Sequence, residues 1–311
     1  MKARPENFRL MAMLAVAALT APAFGQTAAP AAMPAANSTP NSTASIPDFS
    51  GIWAHPYLTG FEPPASGPGP VRNKSRLPNG TGRFQQLVGD YSNPILKPEA
   101  ARIVKEHGDI SLAGEGYPTP SNQCWPGGIP YVFWDFLLQM FQGPDRITMM
   151  YRQGNEVRHV RMNAPHPGQL TPSWYGDSVG HYEGDTLVID TVGIKIGPFA
   201  MVDMYGTPHS PALHVIERYR LVNYNDAKDA MERNVRENSR APAADFDPNY
   251  RGKVLQLHFT VEDENVFTVP WTATITYLPA RGSWTEQICA ENTQWYSGKT
   301  AEVPAANKPD F

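Results

Sequence analysis

Strict alternation of apolar and polar residues is the feature that most constrains the fold of this chain. In residues 268–278, five apolar or aromatic side chains share one face of an extended segment: Val269, Trp271, Ala273, Ile275 and Tyr277. Residues 213–221 and 253–261 alternate in the same way. Successive side chains of a β-strand point to opposite faces of a sheet, so this period predicts half-buried antiparallel strands.

Turn signals separate further segments that resemble strands. Gly154-Asn155 lies between residues 146–152 and 156–162, a spacing typical of a hairpin. A Glu-Gly-Asp turn separates residues 179–182 from 186–192. Residues 52–53 and 284–289 are the remaining candidates, which makes eight or more strands.

Helical signals are few. Residues 98–107 start with a proline and stop at Gly108, and residues 226–238 form a mostly polar candidate. The proline-rich stretch from Pro56 to Pro94 fits neither a helix nor a central strand, so we expect it to wrap the outside of the domain or to cover an opening. We therefore predict a mainly β fold: an antiparallel, strongly curved barrel with one or two short helices and a long Pro/Gly-rich wrapping segment.

The N-terminus predicts an export leader. Basic residues precede a short apolar stretch at residues 10–19, and residues 23–25 form a small-x-small cleavage site. No later stretch is long and apolar enough to predict an integral membrane segment. We expect a signal peptide over 1–25, a disordered Ala/Pro/Ser/Thr tether over 26–46, a single β-rich domain over 47–300 and a tail over 301–311. The protein is then secreted, and its expected location is the periplasm.

Charge and motif content exclude several partners. The formal net charge is −4 without a basic block, which argues against nucleic acid and anionic membranes. No Walker or dinucleotide glycine string occurs, so we expect no nucleotide cofactor. No His-Glu-x-x-His or Cys-x-x-Cys spacing occurs, so we predict no metal site. The two cysteines, Cys124 and Cys289, predict one disulfide, with two separately buried thiols as the alternative.

Seven segments together resemble a large family of uncharacterised secreted bacterial proteins. They are residues 47–53, 161–167, 174–191, 206–210, 217–219, 270–272 and 289–292. The Gly-Asp-Ser-Val-Gly…Glu-Gly-Asp-Thr-Leu-Val string is the most specific of them. The chain departs from the family pattern at His181-Tyr182, where Arg-Trp is common, and at Ala290, where His is common. The resemblance implies fold and location but no reaction. Gly51-Ile52-Trp53 also resembles the first strand of lipocalin-like barrels, in which the Trp closes one end.

A Gly-x-Ser-x-Gly string at residues 176–180 matches the nucleophile elbow of serine hydrolases. An elbow needs a strand before the serine and a helix after it. Here a turn and a β-branched strand follow. We therefore predict that Ser178 is not a nucleophile and that the glycines allow a tight bend.

Glu217 lies on the apolar face of its predicted strand, between Val215 and Tyr219. A carboxylate that points inward must be paired or protonated, because burying it bare is too costly. Two interpretations remain open. Glu217 is a general acid/base, or it forms a structural ion pair with an arginine such as Arg161.

Candidate partners for Glu217 are three histidines: His166, His181 and His209. His166 and His209 lie on proline-bearing loops expected at one end of the barrel, where functional residues concentrate. We predict that Glu217 and at least one of these histidines face a common cavity lined by aromatic residues, because a barrel of this size has room for one small ligand.

Aromatic residues are abundant, with a surplus in residues 125–141 around Pro126-Gly127-Gly128. This surplus predicts a cavity for a small apolar or aromatic molecule. The candidate ligand-binding residues are Trp174, Tyr175, Tyr182, Trp134, Trp271 and Arg218.

Two functions fit these features. One is a secreted barrel that binds or carries a small apolar or aromatic molecule. The other is a cofactor-free acid/base enzyme, a lyase, isomerase or hydrolase, that uses Glu217 with a loop histidine. An open cavity shared by Glu217 and a histidine favours the enzyme, and a cavity without paired ionisable groups favours the carrier. The number of ionisable groups near apolar strands disfavours a structural envelope protein.

Overall fold

A computed structural model describes residues 46–55, 60–237, 247, 249–281 and 284–289 of the chain. The predicted leader (1–25), the predicted tether apart from residue 46, and the predicted tail (301–311) lie outside the described residues.

Nine strands among the described residues close into one barrel in which each strand pairs with the next. β1 and β9 close the ring, with Trp53 opposite Pro279 and Ala54 opposite Leu278. The strands are β1 (Gly51–Ala54), β2 (Leu137–Gln142), β3 (Arg146–Tyr151), β4 (Glu156–Met162), β5 (Asp177–Glu183), β6 (Thr186–Val192), β7 (His214–Asn223), β8 (Lys253–Glu262) and β9 (Trp271–Pro279). The predicted barrel is thereby confirmed.

One pair of neighbours departs from the expected antiparallel arrangement. β4 and β5 run parallel, with Val160 opposite Ser178. Two parallel strands cannot be joined by a tight hairpin, so residues 163–176 carry the chain back along the barrel. Both strands therefore begin at the same end of the barrel. We call this end, where β2, β4, β5, β7 and β9 begin, the front end.

The alternating pattern places side chains as the sequence predicts in most strands. In β7, Val215, Glu217 and Tyr219 are buried, whereas Arg218 and Arg220 are exposed. Two expectations were wrong. Residues 284–289 form no strand, and β9 begins only at Trp271, so that Val269 is exposed rather than inward.

The barrel interior is filled by large side chains. Fully buried examples are Trp271, Arg158, Tyr151, Tyr219, Tyr277, Phe133 and Phe259. Phe133, from a short 3-10 helix at Tyr131–Trp134, packs edge-on against Phe259 at 5.2 Å between ring centroids. Small barrels are just wide enough for their own side chains, and this one follows that rule. The space that we expected for an internal ligand is occupied by protein.

Two α-helices accompany the barrel: α1, Pro98–Leu112, and α2, Tyr224–Glu237. α1 begins at the predicted proline but runs past Gly108, the expected stop. Gly108 is buried against Val88, and a glycine within a helix costs only about 1 kcal/mol, which this packing offsets. Among the described residues, neither helix combines the length and apolar character that a membrane crossing requires.

The described part of the Pro/Gly-rich segment, residues 60–94, packs along the barrel, and its Phe61 contacts the core ring of Phe259. Its described residues before α1 form isolated bridges rather than strands, and one bridge joins Glu62 to Thr274 of β9. At the end of α2, Glu237 holds this segment through ion pairs of 2.7 Å to Arg72 and 2.8 Å to Arg76.

Candidate functional site

Glu217 points into the barrel, where it is paired with Arg158 rather than with Arg161. Arg158 Nη2 donates to Glu217 Oε1 at 2.6 Å and Nη1 donates to Oε2 at 2.9 Å. The Tyr219 hydroxyl donates to Oε2 at 3.0 Å. The Glu217 and Arg158 side chains are 0% and 1% exposed. Arg161 instead binds Asp177 on the barrel surface. The geometry is that of a structural ion pair, with no access to solvent.

Ser178 belongs to the same buried network. Arg158 Nε donates to its hydroxyl at 3.0 Å, and Thr191 Oγ1 lies 3.1 Å away. Gly176 has φ +64°, and a Cβ there would lie 2.5 Å from the Val192 carbonyl oxygen. The Gly-x-Ser-x-Gly string is therefore explained by a tight backbone approach, with its serine buried beside an arginine.

His166 lies on the outer surface of the barrel. Its Nδ1 is 2.6 Å from Asp177 Oδ2 and its Nε2 is 3.1 Å from Asp190 Oδ1. His214 Nε2 contacts the same Asp190 oxygen at 2.9 Å, and this hydrogen bond is the main cause that lowers the Asp190 pKa. Since Glu217 points inward, the barrel wall separates it from His166, and the two do not share a cavity.

The remaining candidates are scattered. His181 and Arg218 are exposed and both contact Glu183. The Tyr182 hydroxyl accepts a hydrogen bond from Gln142, at the end opposite the front end. Trp134 and Trp271 are buried in the core. None of these residues joins Glu217 in an open pocket among the cavities that the described residues form.

Three predicted residues, Trp174, Tyr175 and His209, do lie close together at the front end. Trp174 and His209 form part of an aromatic cluster with Trp125, Phe199 and Lys195, which we call the aromatic rim. Trp125 packs edge-on against Trp174 at 5.3 Å and against Phe199 at 5.9 Å between ring centroids. The Lys195 ammonium lies 4.9 Å from the centre of the Trp174 ring. Burial lowers the pKa of His209, which favours its neutral form.

Trp125 also forms a wall of a neighbouring open cleft of about 220 Å³. The cleft is lined by Pro120, Ser121, Cys124, Trp125, Pro126, Gln153, Gly154, Glu156 and Cys289. The predicted Cys124–Cys289 disulfide is present, with 5.4 Å between Cα atoms. It joins the loop that carries Trp125 to the segment after β9, and so holds one side of the cleft in place. Trp125 remains 40% exposed.

Glu156, the first residue of β4, is the ionisable group of the cleft. The Gly127 N–H donates to its carboxylate at 3.2 Å, and the third predicted residue, Tyr175, places its hydroxyl beside it. Burial raises the pKa of Glu156 to about 7, against the lowering effect of these two donors. Among the described residues, no basic side chain forms an ion pair with it.

Sequence reasoning missed Glu156. The residue directly follows the Gly154-Asn155 turn, and a carboxylate at such a position is usually solvated. Distant residues partly bury it, among them the loop of residues 120–128, which lines the same cleft. The surplus of aromatic residues in 125–141 was the one signal that pointed to this part of the molecule.

The chemistry of the site rests on the geometry of the cleft and the aromatic rim. Within the described ranges, no three His, Cys, Asp or Glu side chains are grouped in a way that could hold a metal ion. Comparisons with protein families, with curated proteins and with solved structures found no match.

Proposed function

We propose that this protein binds a small aromatic or apolar molecule in the cleft at the front end of the barrel, with Trp125 as the main contact. Ligand sites are concave and mostly apolar with a few placed polar groups, and the cleft combines a tryptophan, two prolines and a disulfide with Glu156. Its volume suits a molecule of one or two rings.

The observation that carries this proposal is the position of Trp125. One side of its ring packs edge-on in the aromatic rim, while the residue is still 40% exposed and lines the cleft. An aromatic side chain held by two others presents a rigid surface at little entropic cost, which favours the binding of another ring. The acid/base alternative through Glu217 lacks such support, because that carboxylate is enclosed and paired.

The test is whether benzamide and benzyl alcohol bind to the protein, as measured by saturation-transfer NMR. We expect binding to the wild-type chain and its loss in Trp125→Ala. Phe141→Ala is the matched control, since Phe141 is an aromatic residue with 47% exposure on β2, away from the cleft. Equal binding by wild type and Trp125→Ala would show that the cleft is not the site.

We also propose that the chain is exported and starts near Gln26, as in the secreted bacterial family that its motifs resemble. The leader pattern supports this, and so does the Cys124–Cys289 disulfide, because disulfides persist in oxidising compartments. Intact-mass analysis of protein recovered from the periplasm is expected to show loss of residues 1–25. Retention of those residues contradicts export by cleavage.

A further inference from the structure

We propose that the cleft selects aromatic cations, with the ring of the ligand against Trp125 and its protonated nitrogen at the Glu156 carboxylate. The chemical class is a planar ring that carries an amidinium or ammonium group. This inference rests on the proposed function, because it concerns the same cleft, and it adds the charge of the ligand.

The first argument is the unmatched charge of Glu156. Its carboxylate accepts a hydrogen bond from the Gly127 N–H and lies beside the Tyr175 hydroxyl, and both of these groups are neutral. An ionised carboxylate has about four acceptor positions, so acceptor capacity remains for a ligand. Since no described basic side chain pairs with it, a cation in the cleft supplies the missing counter-charge. A hydrogen bond to an ionised group strengthens binding about ten- to a hundredfold.

The second argument is the arrangement of charge around Trp125. The cation Lys195 lies over Trp174 in the aromatic rim, whereas Glu156 lines the cleft. Trp125 lines both. The cleft side of this tryptophan therefore carries the negative group, and an indole face also attracts cations directly. A ligand that has both a ring and a positive nitrogen can contact Trp125 and Glu156 at the same time.

Two titratable groups share the surroundings of Glu156. The Tyr175 hydroxyl comes from the loop before β5, and Asp135 comes from the segment before β2. Asp135 is fully buried, where its Oδ2 accepts the Gln153 N–H at 2.6 Å, so it cannot reach a ligand directly. The pKa of Asp135 is also raised to about 7, mainly by burial and in part by the Glu156 charge. A cation bound at Glu156 favours ionisation of this pair, so binding near pH 7 releases a proton.

The test compares benzamidine, an aromatic cation, with benzamide, its neutral analogue, by isothermal titration calorimetry on the full chain. At about pH 8.5, where Glu156 is ionised, we expect benzamidine to bind at least about tenfold more tightly than benzamide. At about pH 5.5 we expect this preference to fall below about threefold, because Glu156 is then protonated.

Two further measurements isolate Glu156. Glu156→Gln is expected to remove the preference at both pH values, while Glu286→Gln, at an exposed acidic residue three positions before Cys289, is expected to keep it. In the wild type, titrations at pH 7 in buffers of different ionisation enthalpy are expected to show release of about half a proton per benzamidine and none per benzamide. This readout needs no variant, and so does not depend on how Glu156→Gln folds.

The outcomes separate the two proposals. If both probes bind with equal affinity at high pH, or if benzamidine releases no proton, the selection of cations is wrong while the binding function stands. If neither probe binds the wild type, the proposed function is wrong and the inference is overturned with it.

Discussion

Arg158 of β4 and Glu217 of β7 form an ion pair across the barrel interior, although β5 and β6 separate their strands in the wall. Ser178 of β5 and Thr191 of β6 accept from the same guanidinium. The arginine therefore ties together four consecutive strands, including the parallel pair. We expect this buried and fully hydrogen-bonded charge to fix the arrangement of these strands more than it stabilises them.

Glu217→Gln is expected to destabilise the protein by about 3–5 kcal/mol, because the substitution leaves the Arg158 charge buried without a partner. The double variant Arg158→Met/Glu217→Met removes both charges, so its stability is expected to be much closer to that of the wild type. Unfolding in guanidinium chloride measures the stability of the single variant and of the double variant. Glu183→Gln, which breaks an exposed ion pair with Arg218, is the control and is expected to change little.

A different result would revive the catalytic interpretation of Glu217. If Glu217→Gln were as stable as the wild type, the carboxylate would not be a structural partner of Arg158. The double-variant comparison would then show no coupling between the two sites.

The strands could be predicted from the sequence because the information is local. Alternation in β7 placed Glu217 on the inner face, as the structure shows. The parallel pairing of β4 and β5 could not be predicted, since it depends on the path of residues 163–176, which contain no helix or strand signal. Outside such crossovers, the order of hairpins fixes the topology of the barrel.

The site was harder to predict because burial is a tertiary property. Trp271 begins β9 and fills the core, as its place in the alternating pattern indicates, whereas Trp174 precedes β5 and lies in the aromatic rim. No periodic pattern covers Trp174, so its surroundings could not be predicted from the local sequence. Glu156 likewise becomes partly buried through residues that are distant in sequence, such as those of the 120–128 loop and the Cys124–Cys289 disulfide.

Stability is expected to fall as pH rises, in part because Glu62 is buried and no basic side chain among the described residues forms an ion pair with it. Glu62 belongs to the wrapping segment and contacts β9, where its carboxylate accepts a hydrogen bond from the Thr276 N–H at 3.2 Å. Burial raises the pKa of Glu62 to about 7. An acid whose folded pKa lies above its unfolded value stabilises the fold below the unfolded pKa, near 4.5. That contribution, about 3 kcal/mol, is lost as pH rises from about 4.5 to 7.

Denaturant unfolding at about pH 5 and pH 8 measures this effect. Glu62→Gln stays neutral, so the variant is expected to lose only the Glu62 share of the difference between the two pH values, because Asp135 and Glu156 also have pKa values raised to about 7. Glu115→Gln, at an exposed position, should keep the wild-type difference. If Glu62→Gln shows the same pH dependence as the wild type, then Glu62 does not contribute to it.

Loss of the disulfide is expected to weaken both the fold and the cleft. The bond closes a loop of 165 residues, for which chain entropy gives an upper value of roughly 5 kcal/mol. The double variant Cys124→Ser/Cys289→Ser should unfold at a lower denaturant concentration than the oxidised wild type. Its unfolding midpoint should equal that of the wild type whose disulfide has been reduced. Because both cysteines line the cleft, benzamide binding should also decrease. Unchanged stability and binding would mean that packing alone holds this loop.

The packing role of Gly176, the first residue of the Gly-x-Ser-x-Gly string, is tested by comparison with Gly184 of the Glu183-Gly184-Asp185 turn, which has a similar backbone conformation. Gly176 and Gly184 have φ values of +64° and +62°. A Cβ at Gly176 would lie 2.5 Å from the Val192 carbonyl oxygen, whereas a Cβ at Gly184 would meet no atom within 4 Å. Both Ala variants therefore carry a similar conformational cost of about 1 kcal/mol, but only Gly176→Ala adds overpacking of about 1–3 kcal/mol. We expect Gly176→Ala to be the less stable variant in denaturant unfolding. Equal stability of the two variants would show that the close approach to Val192 does not explain this glycine.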